Sequence, residues 1–245
     1  MNKKFISGLV AIVFCLAFAF SAAAQTNVPT TGEGLKERAK DLRQNIGNIK
    51  IQTKTELTDI KIKAKRAELN TQLKATQEAA KNRLEAAREE VKKTVEARQT
   101  ELKDKISKLR DEKKKQIATR LDEQMARLNV QWTDHFSNVL NRLSEILGKI
   151  ELRATKAETS GKDVTAVKTA IQNAKAAIET ARTAVETQAK KTYIAIFSSE
   201  TGLGAAFKAV REQLRKDLFG LRDGAMKSAR EAVQNSLQAL KSLNF

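Results

Sequence analysis

The sequence predicts an all-α protein, with a long N-terminal coiled-coil helix running into an antiparallel three-helix bundle. Three observations carry this reading. No proline follows Pro29 in a chain of 245 residues, and proline is the residue that most strongly breaks a helix. Much of the proline-free stretch repeats its apolar residues every eleven positions, which is three α-helical turns. Aromatic residues make up only 4% of the chain, and Trp132 and Tyr193 are single of their kinds. A helix–helix seam fills with Leu, Ile, Val and Ala and needs few aromatics, whereas a globular core normally uses many.

Residues 1–24 read as a signal peptide. Lys3 and Lys4 form a basic start, residues 6–20 form an apolar run, and Ala22 and Ala24 are the small side chains a signal peptidase accepts before Gln25. The run is too short for a membrane-spanning helix. Bulky Phe14 before Cys15 argues against lipidation. The chain is therefore expected to be exported, to the periplasm, the cell surface or the medium. Cys15 is the only cysteine, so the mature chain can form no disulfide and packing must hold it together. Residues 25–34, with Pro29 and Gly32, read as a flexible leader.

Residues 35–121 read as a basic coiled-coil stalk. Leu35, Ala39, Leu42, Ile46 and Ile49 open it at 4-3-4-3 spacing, a heptad seam. Ala80, Leu84, Ala87, Val91, Val95, Leu102, Ile106 and Leu109 then recur in an eleven-residue frame, with Arg98 and Lys113 at seam positions. Such a frame keeps a helix nearly straight. Glu89 with Lys93, Glu101 with Lys105, Asp104 with Lys108 and Asp111 with Lys115 are i,i+4 pairs with the acid first, each worth a few tenths of a kcal/mol. Those pairs cannot sustain a long helix alone, so the seam needs a partner. It either pairs with a second copy, projects, or folds back. The frame slips after Ile117, and that slip and Gly148 are the expected places for a break.

Residues 122–245 read as the bundle, with helices over about 122–158, 164–197 and 205–243. The first carries Leu121, Met125, Leu128, Trp132, Phe136, Val139, Leu143, Leu147, Ile150 and Ala154 on its seam. Gly161 suits a helix C-terminus, and Asp163 suits the next cap. Val164, Ile171, Ile178 and Val185 recur every seven residues, interleaved with Val167, Ala174 and Ala181. The third helix steps through Val210, Leu214, Leu218, Leu221, Ala225, Ala229, Ala232, Ser236, Leu240 and Leu243. Short turns between such seams give antiparallel neighbours.

The chemistry-bearing residues are sparse. One histidine, His135, and no mature cysteine exclude a zinc site or a Cys/His nucleophile within one chain. His135 beside Trp132 and Phe136 reads as the edge of a core seam. No glycine-rich phosphate loop is present, since Gly202-Leu203-Gly204 lacks the further glycine and lysine. With no sign of a polar cavity, no enzyme, no cofactor and no small-molecule substrate are expected. The functional signal is charge. The net charge is +17, of which Lys3 and Lys4 leave with the leader. Two runs stand out as candidate polyanion-binding residues: Lys61, Lys63, Lys65 and Arg66, then Lys113, Lys114 and Lys115. Anionic wall polymer, lipid headgroups or DNA are the matching partners.

The arrangement of signal peptide, basic stalk and bundle, with residues 136–143 (FSNVLNRL) and 161–164 (GKDV), resembles uncharacterised secreted coiled-coil proteins of reduced-genome bacteria. That resemblance covers about residues 120–243 and implies no activity. A looser similarity is to the OmpH-type periplasmic chaperones, also basic, exported and helical, whose β-rich trimerisation body has no counterpart here. The sequence thus points to a non-enzymatic, self-associating scaffold of the cell envelope, or to a binding protein that holds polyanions or unfolded clients.

Overall fold

A computed structural model describes residues 32–243. The expected signal peptide, Cys15 and most of the leader lie outside the described residues. Among those described, the chain is all-α, with no strand. The helices are α1 Gly32–Ser107, α2 Glu112–Thr159, α3 Thr165–Ala189, α4 Leu203–Leu221 and α5 Lys227–Lys241. A π-helical turn, Arg222–Met226, joins α4 to α5, and a 3-10 turn, Glu200–Gly202, leads into α4. The leader expected to residue 34 gives way to α1 already at Gly32.

The chain divides into two units, Met1–Lys54 and Thr55–Phe245, earlier than the boundary at residue 121 read from the sequence. In the first unit, residues 32–54 are helical. Its heptad residues Leu42, Ile46 and Ile49 are each 61% exposed.

In the second unit the seam of α1 is covered by the same chain. Ala80, Leu84, Ala87, Leu102, Ile106 and Leu109 are buried, Val91 and Val95 are partly buried, and Arg98 is exposed. Lys65 reaches Glu151, Gln77 reaches Glu145 and Arg88 reaches Asp134, so α1 and α2 run antiparallel. On the other side, Arg83 pairs with Glu179 and Glu186 of α3. Residues 65–106 therefore add a fourth helix to the expected three.

The reversal falls at residues 108–111, where neither glycine nor proline stands. It does not fall at Gly148 or Ile117, both inside the continuous α2. Asp111 makes it possible: its Oδ1 accepts from the N–H groups of Lys113 (2.9 Å) and Lys114 (3.2 Å). An N-cap of this kind is worth about 0.5–2 kcal/mol. Asp111 thus caps rather than pairing with Lys115, which binds Glu112 instead (3.3 Å). The Glu101–Lys105 pair forms as its spacing predicts (2.7 Å). Beneath the turn, Leu102, Ile106 and Leu109 join Ala118, Phe197, Leu203 and Phe207 in a small second core.

α2 is contacted by α3, α4 and α5 as well as α1, so its buried face is wider than one seam. Met125, Phe136, Leu147, Ile150 and Ala154 are buried as expected, but so are Leu140, Ala118 and the polar Asp122, Asn129 and Thr133. Asp122 is 6% exposed. Burial pushes its carboxyl above the ordinary value, with Lys103 opposing and Glu123 adding to the shift. A raised folded-state value means that the charged form weakens the fold as pH rises through it. Asp122→Asn is therefore expected to raise the thermal midpoint at neutral pH. The gain should vanish once the pH falls below the ordinary carboxylate range, which parallel melts at the two pH values would read.

The α2–α3 turn follows its local signals. Gly161 has φ +85°, the left-handed region that favours glycine. Its N–H donates to Glu158 O (2.9 Å) and that of Lys162 to Ala157 O (3.1 Å), which closes the helix end. Asp163 accepts from the Thr165 N–H at 2.9 Å. Along α3, Val164, Val167, Ile171, Ala174, Ile178, Ala181 and Val185 are all buried, as the seven-residue spacing predicts. The alanines let α2 and α5 approach closely.

α3 ends at Ala189, not at Phe197. Residues 191–197 belong to no helix, with Tyr193, Ala195 and Phe197 buried while Ile196 is exposed. This alternation in a β-branched and aromatic run is a strand-like signal. Further on, the π turn inserts a residue into the helix, and Ala229, Ser236 and Leu240 stay buried as the sequence frame predicts. Met226 and Val233 are buried where the sequence frame places Ala225 and Ala232, which are only partly buried.

Candidate binding surfaces

The two basic runs belong to separate places. Lys61 and Lys63 are exposed on α1. Lys65 is engaged by Glu68 (3.3 Å) and Glu151 (3.5 Å). Burial, the largest single influence, works to lower its pKa, but the two carboxylates together outweigh it and the net shift is upward. Arg66 lines a groove described below. In the second run, Lys113 is exposed, Lys114 pairs with Glu200 (2.8 Å) and Lys115 with Glu112. The Lys114 pair works both ways: the hydrogen bond raises the lysine pKa and lowers that of Glu200. Lys65 docks near Glu151, and Lys114 sits at the start of α2. Those α2 positions lie roughly 55 Å apart at 1.5 Å per residue. The seven residues do not make one patch, and Lys65, Lys114 and Lys115 are already spent on acids of the same chain.

The first unit presents a more coherent surface. At 100° per residue, Ala39, Leu42, Ile46 and Ile49 fall within about 80° of the helix circumference. Arg43 and Lys50 border one side of that stripe and Arg38 the other. The two acids of this segment, Glu37 and Asp41, lie on the far side. All of these residues are exposed. In heptad terms, the positions flanking the seam hold Arg38, Arg43, Asn45, Lys50 and Gln52, with no acid among them. This arrangement is legible in the sequence once flanking charges are assigned to sides; reading charge only as runs misses it.

His135 is exposed beside the half-buried Trp132, with the rings edge-on at 5.8 Å, while Phe136 is buried in the main core. The aromatic cluster is thus a core edge. Among the described residues no group of three or more His, Cys, Asp or Glu is placed to hold a metal ion. No described helix is long and apolar enough to cross a membrane.

A cavity does exist, contrary to the expectation from sequence. α1, α2 and α3 enclose a groove of about 660 Å³ within the second unit, floored by Leu69, Leu73, Leu147 and Ile178.

No protein-family model matches the chain, and neither a curated protein nor a solved structure matches it. Its class is defined by the fold: an all-α helical-bundle protein with an amphipathic, basic-flanked N-terminal helix.

Proposed function

We propose that this is a non-enzymatic, exported binding protein of the cell envelope that docks an anionic lipid surface along residues 36–54. The observation that carries this reading is the exposed Leu42–Ile46–Ile49 stripe with arginine and lysine on both borders and acids behind. An interfacial helix of this kind places its apolar side chains below the headgroups and its basic borders among them. Each basic residue near an anionic surface adds about 1 kcal/mol. Wall polymer and DNA share the charge but offer nothing for an apolar stripe. Self-association through α1 has less support. The seam over residues 80–109 is filled by its own chain, and two copies paired through the remaining heptads would face arginine and lysine against each other.

Flotation of the mature chain with vesicles of phosphatidylglycerol or phosphatidylcholine tests this. Binding to the anionic vesicles only, weakening as salt rises, is expected. Ile46→Glu should abolish it while changing stability by less than about 0.5 kcal/mol, as for any exposed site. No binding at low salt would end the lipid reading. A dimer in light scattering that Ile46→Glu dissociates would restore self-association.

A further inference from the structure

We propose that the groove between α1, α2 and α3 binds a single-chain amphiphile with a carboxylate head, and that Arg182 receives the head. Arg182 carries a cost. This residue of α3 is 2% exposed. A buried charge is expensive unless an opposite charge and hydrogen bonds complete it. Arg182 has neither in full. Its Nη2 donates to two neutral oxygens, Asn141 Oδ1 at 2.9 Å and Ser144 Oγ at 3.3 Å. Its Nε and Nη1 are buried with no hydrogen-bonding partner. The acids nearest on its own helix, Glu179 and Glu186, are both engaged by Arg83, at 2.6 and 3.1 Å. Burial accordingly pulls the Arg182 pKa below the ordinary arginine value, against the partial support of Glu179 and Glu186.

A guanidinium with an idle N–H is a match for a carboxylate oxygen, which accepts a charge-assisted hydrogen bond from it. The rest of the groove defines the body of the ligand. Arg182 lines the same cavity as Leu69, Leu73, Leu147, Leu152 and Ile178. Its volume of about 660 Å³ lies in the range of small-molecule sites, mostly apolar with a few converging polar groups. Three acids line the groove: Glu151 is paired with Lys175 (2.7 Å) and Lys65 (3.5 Å), Glu179 is paired with Arg83, and Glu145 accepts from Gln77 (3.3 Å). Arg66 and Lys149 add positive charge around the opening. A carboxylate amphiphile gives an idle donor a charged acceptor and fills the apolar walls together; a neutral one would do only the second.

Gly148 supplies a separate handle. It lines the groove, and a side chain built there meets no atom within 4 Å. Leucine at this position would occupy ligand space, and glycine is the poorer residue inside a helix. The variant should therefore block binding without weakening the fold.

The experiment is calorimetric titration of the mature chain with dodecanoate and with dodecanol, both below their micellar concentrations. One dodecanoate per chain is expected, bound at least about tenfold more tightly than the alcohol, the factor that a charge-assisted hydrogen bond supplies. Arg182→Met should erase the preference. Gly148→Leu should weaken both ligands by about tenfold or more with an unchanged or higher melting temperature. Ile46→Glu should leave dodecanoate binding intact, which separates this site from the lipid-docking helix. Absence of dodecanoate binding, many molecules per chain, or equal affinity for acid and alcohol would overturn the proposal. So would a preference that survives Arg182→Met, or binding that survives Gly148→Leu. If Arg182→Met does not fold, the Gly148→Leu result decides.

Discussion

Leu140→Ala is expected to lower the unfolding free energy by about 2–5 kcal/mol in urea denaturation, the range for deleting a buried leucine. Leu140 is fully buried on α2. It adjoins Ala80 and Leu84 of α1 and Val185 of α3 around a cavity of about 10 Å³. Two features put the cost toward the top of the range. The void already present would grow, and the loss scales with the cavity left behind. The surroundings also cannot close it, because Ala154, Ala174, Ala181 and Ala229 already hold the bundle helices at close range. The control is Leu42→Ala in the first unit, at an exposed site, which should change stability by less than about 0.5 kcal/mol. Both leucines belong to periodic apolar helices. A cost below about 1 kcal/mol at Leu140 would mean that the described register of α2 is wrong.

Asn129→Leu is expected to cost about 3 kcal/mol although it adds apolar bulk to an interior site. Asn129 is buried on α2 and holds the end of α3 in place. Its Nδ2 donates to the carbonyls of Gln188 and Lys191, each at 3.2 Å. Its Oδ1 accepts from Gln188 Nε2 at 3.0 Å. Gln188 Nε2 also donates to Tyr193 Oη (2.8 Å), which donates in turn to Asp217 Oδ2 (2.7 Å). Leucine leaves the Lys191 carbonyl without its Asn129 donor and removes the acceptor of the Gln188 amide, while Gln188 O keeps the Lys191 N–H (3.1 Å); one buried group left without a partner costs about 1–3 kcal/mol. The network ties the end of α3 to the non-helical residues 191–197. The variant should therefore also lose amide protection there and shift the near-ultraviolet signal of Tyr193. Full protection over 191–197 in a stable Asn129→Leu protein would refute that role.

The same network sets a pH dependence opposite to that of Asp122. Burial works against the Asp217 charge, but hydrogen bonds from Tyr193, Lys191 and Gln213, with the Lys191 charge, outweigh it and hold its carboxyl below the ordinary value. A lowered folded-state value gives stability that is complete above the unfolded carboxylate range and is lost as pH falls through the folded value. Burial, with the Asp217 carboxylate beside it, holds the Tyr193 hydroxyl protonated well above the ordinary tyrosine range. Asp217→Asn should therefore flatten the acid limb of the stability curve, and Asp122→Asn should steepen it.

Much of the fold was legible because its signals are local. The Gly161 turn acts over three or four residues, Asp163 stands one residue before the α3 N-cap, Val164, and the α3 seam repeats on its own helix. Other features misled for equally physical reasons. Residues 191–197 continue an apolar run, yet their two-residue alternation is strand-like, and an Asn–Gln–Tyr network with no sequence pattern ends the helix. Asp111 reads equally well as half of an ion pair or as a cap. Beyond the π turn, Met226 and Val233 take the places of Ala225 and Ala232 on the buried face while Ala229, Ser236 and Leu240 keep theirs, with no break in composition. Arg182 was invisible as a site element. It falls one place after Ala181 on the α3 seam, where a basic residue normally reads as the solvated edge.

Local patterning makes the described chain all-α, places the turn between α2 and α3 and selects the buried face of α3. Proline content, periodicity and capping residues act within a few turns of one helix, so they survive without knowledge of the partner. What each seam meets depends on how the helices pack. Leu84 and Leu42 sit in equivalent periodic patterns, yet one is closed by α2 and α3 and the other is open. Packing also puts Arg182 on the floor of a groove rather than in water. Burial of a helical face depends on surfaces far away in the chain, and a seam residue looks the same whether its partner is near, distant or outside the molecule.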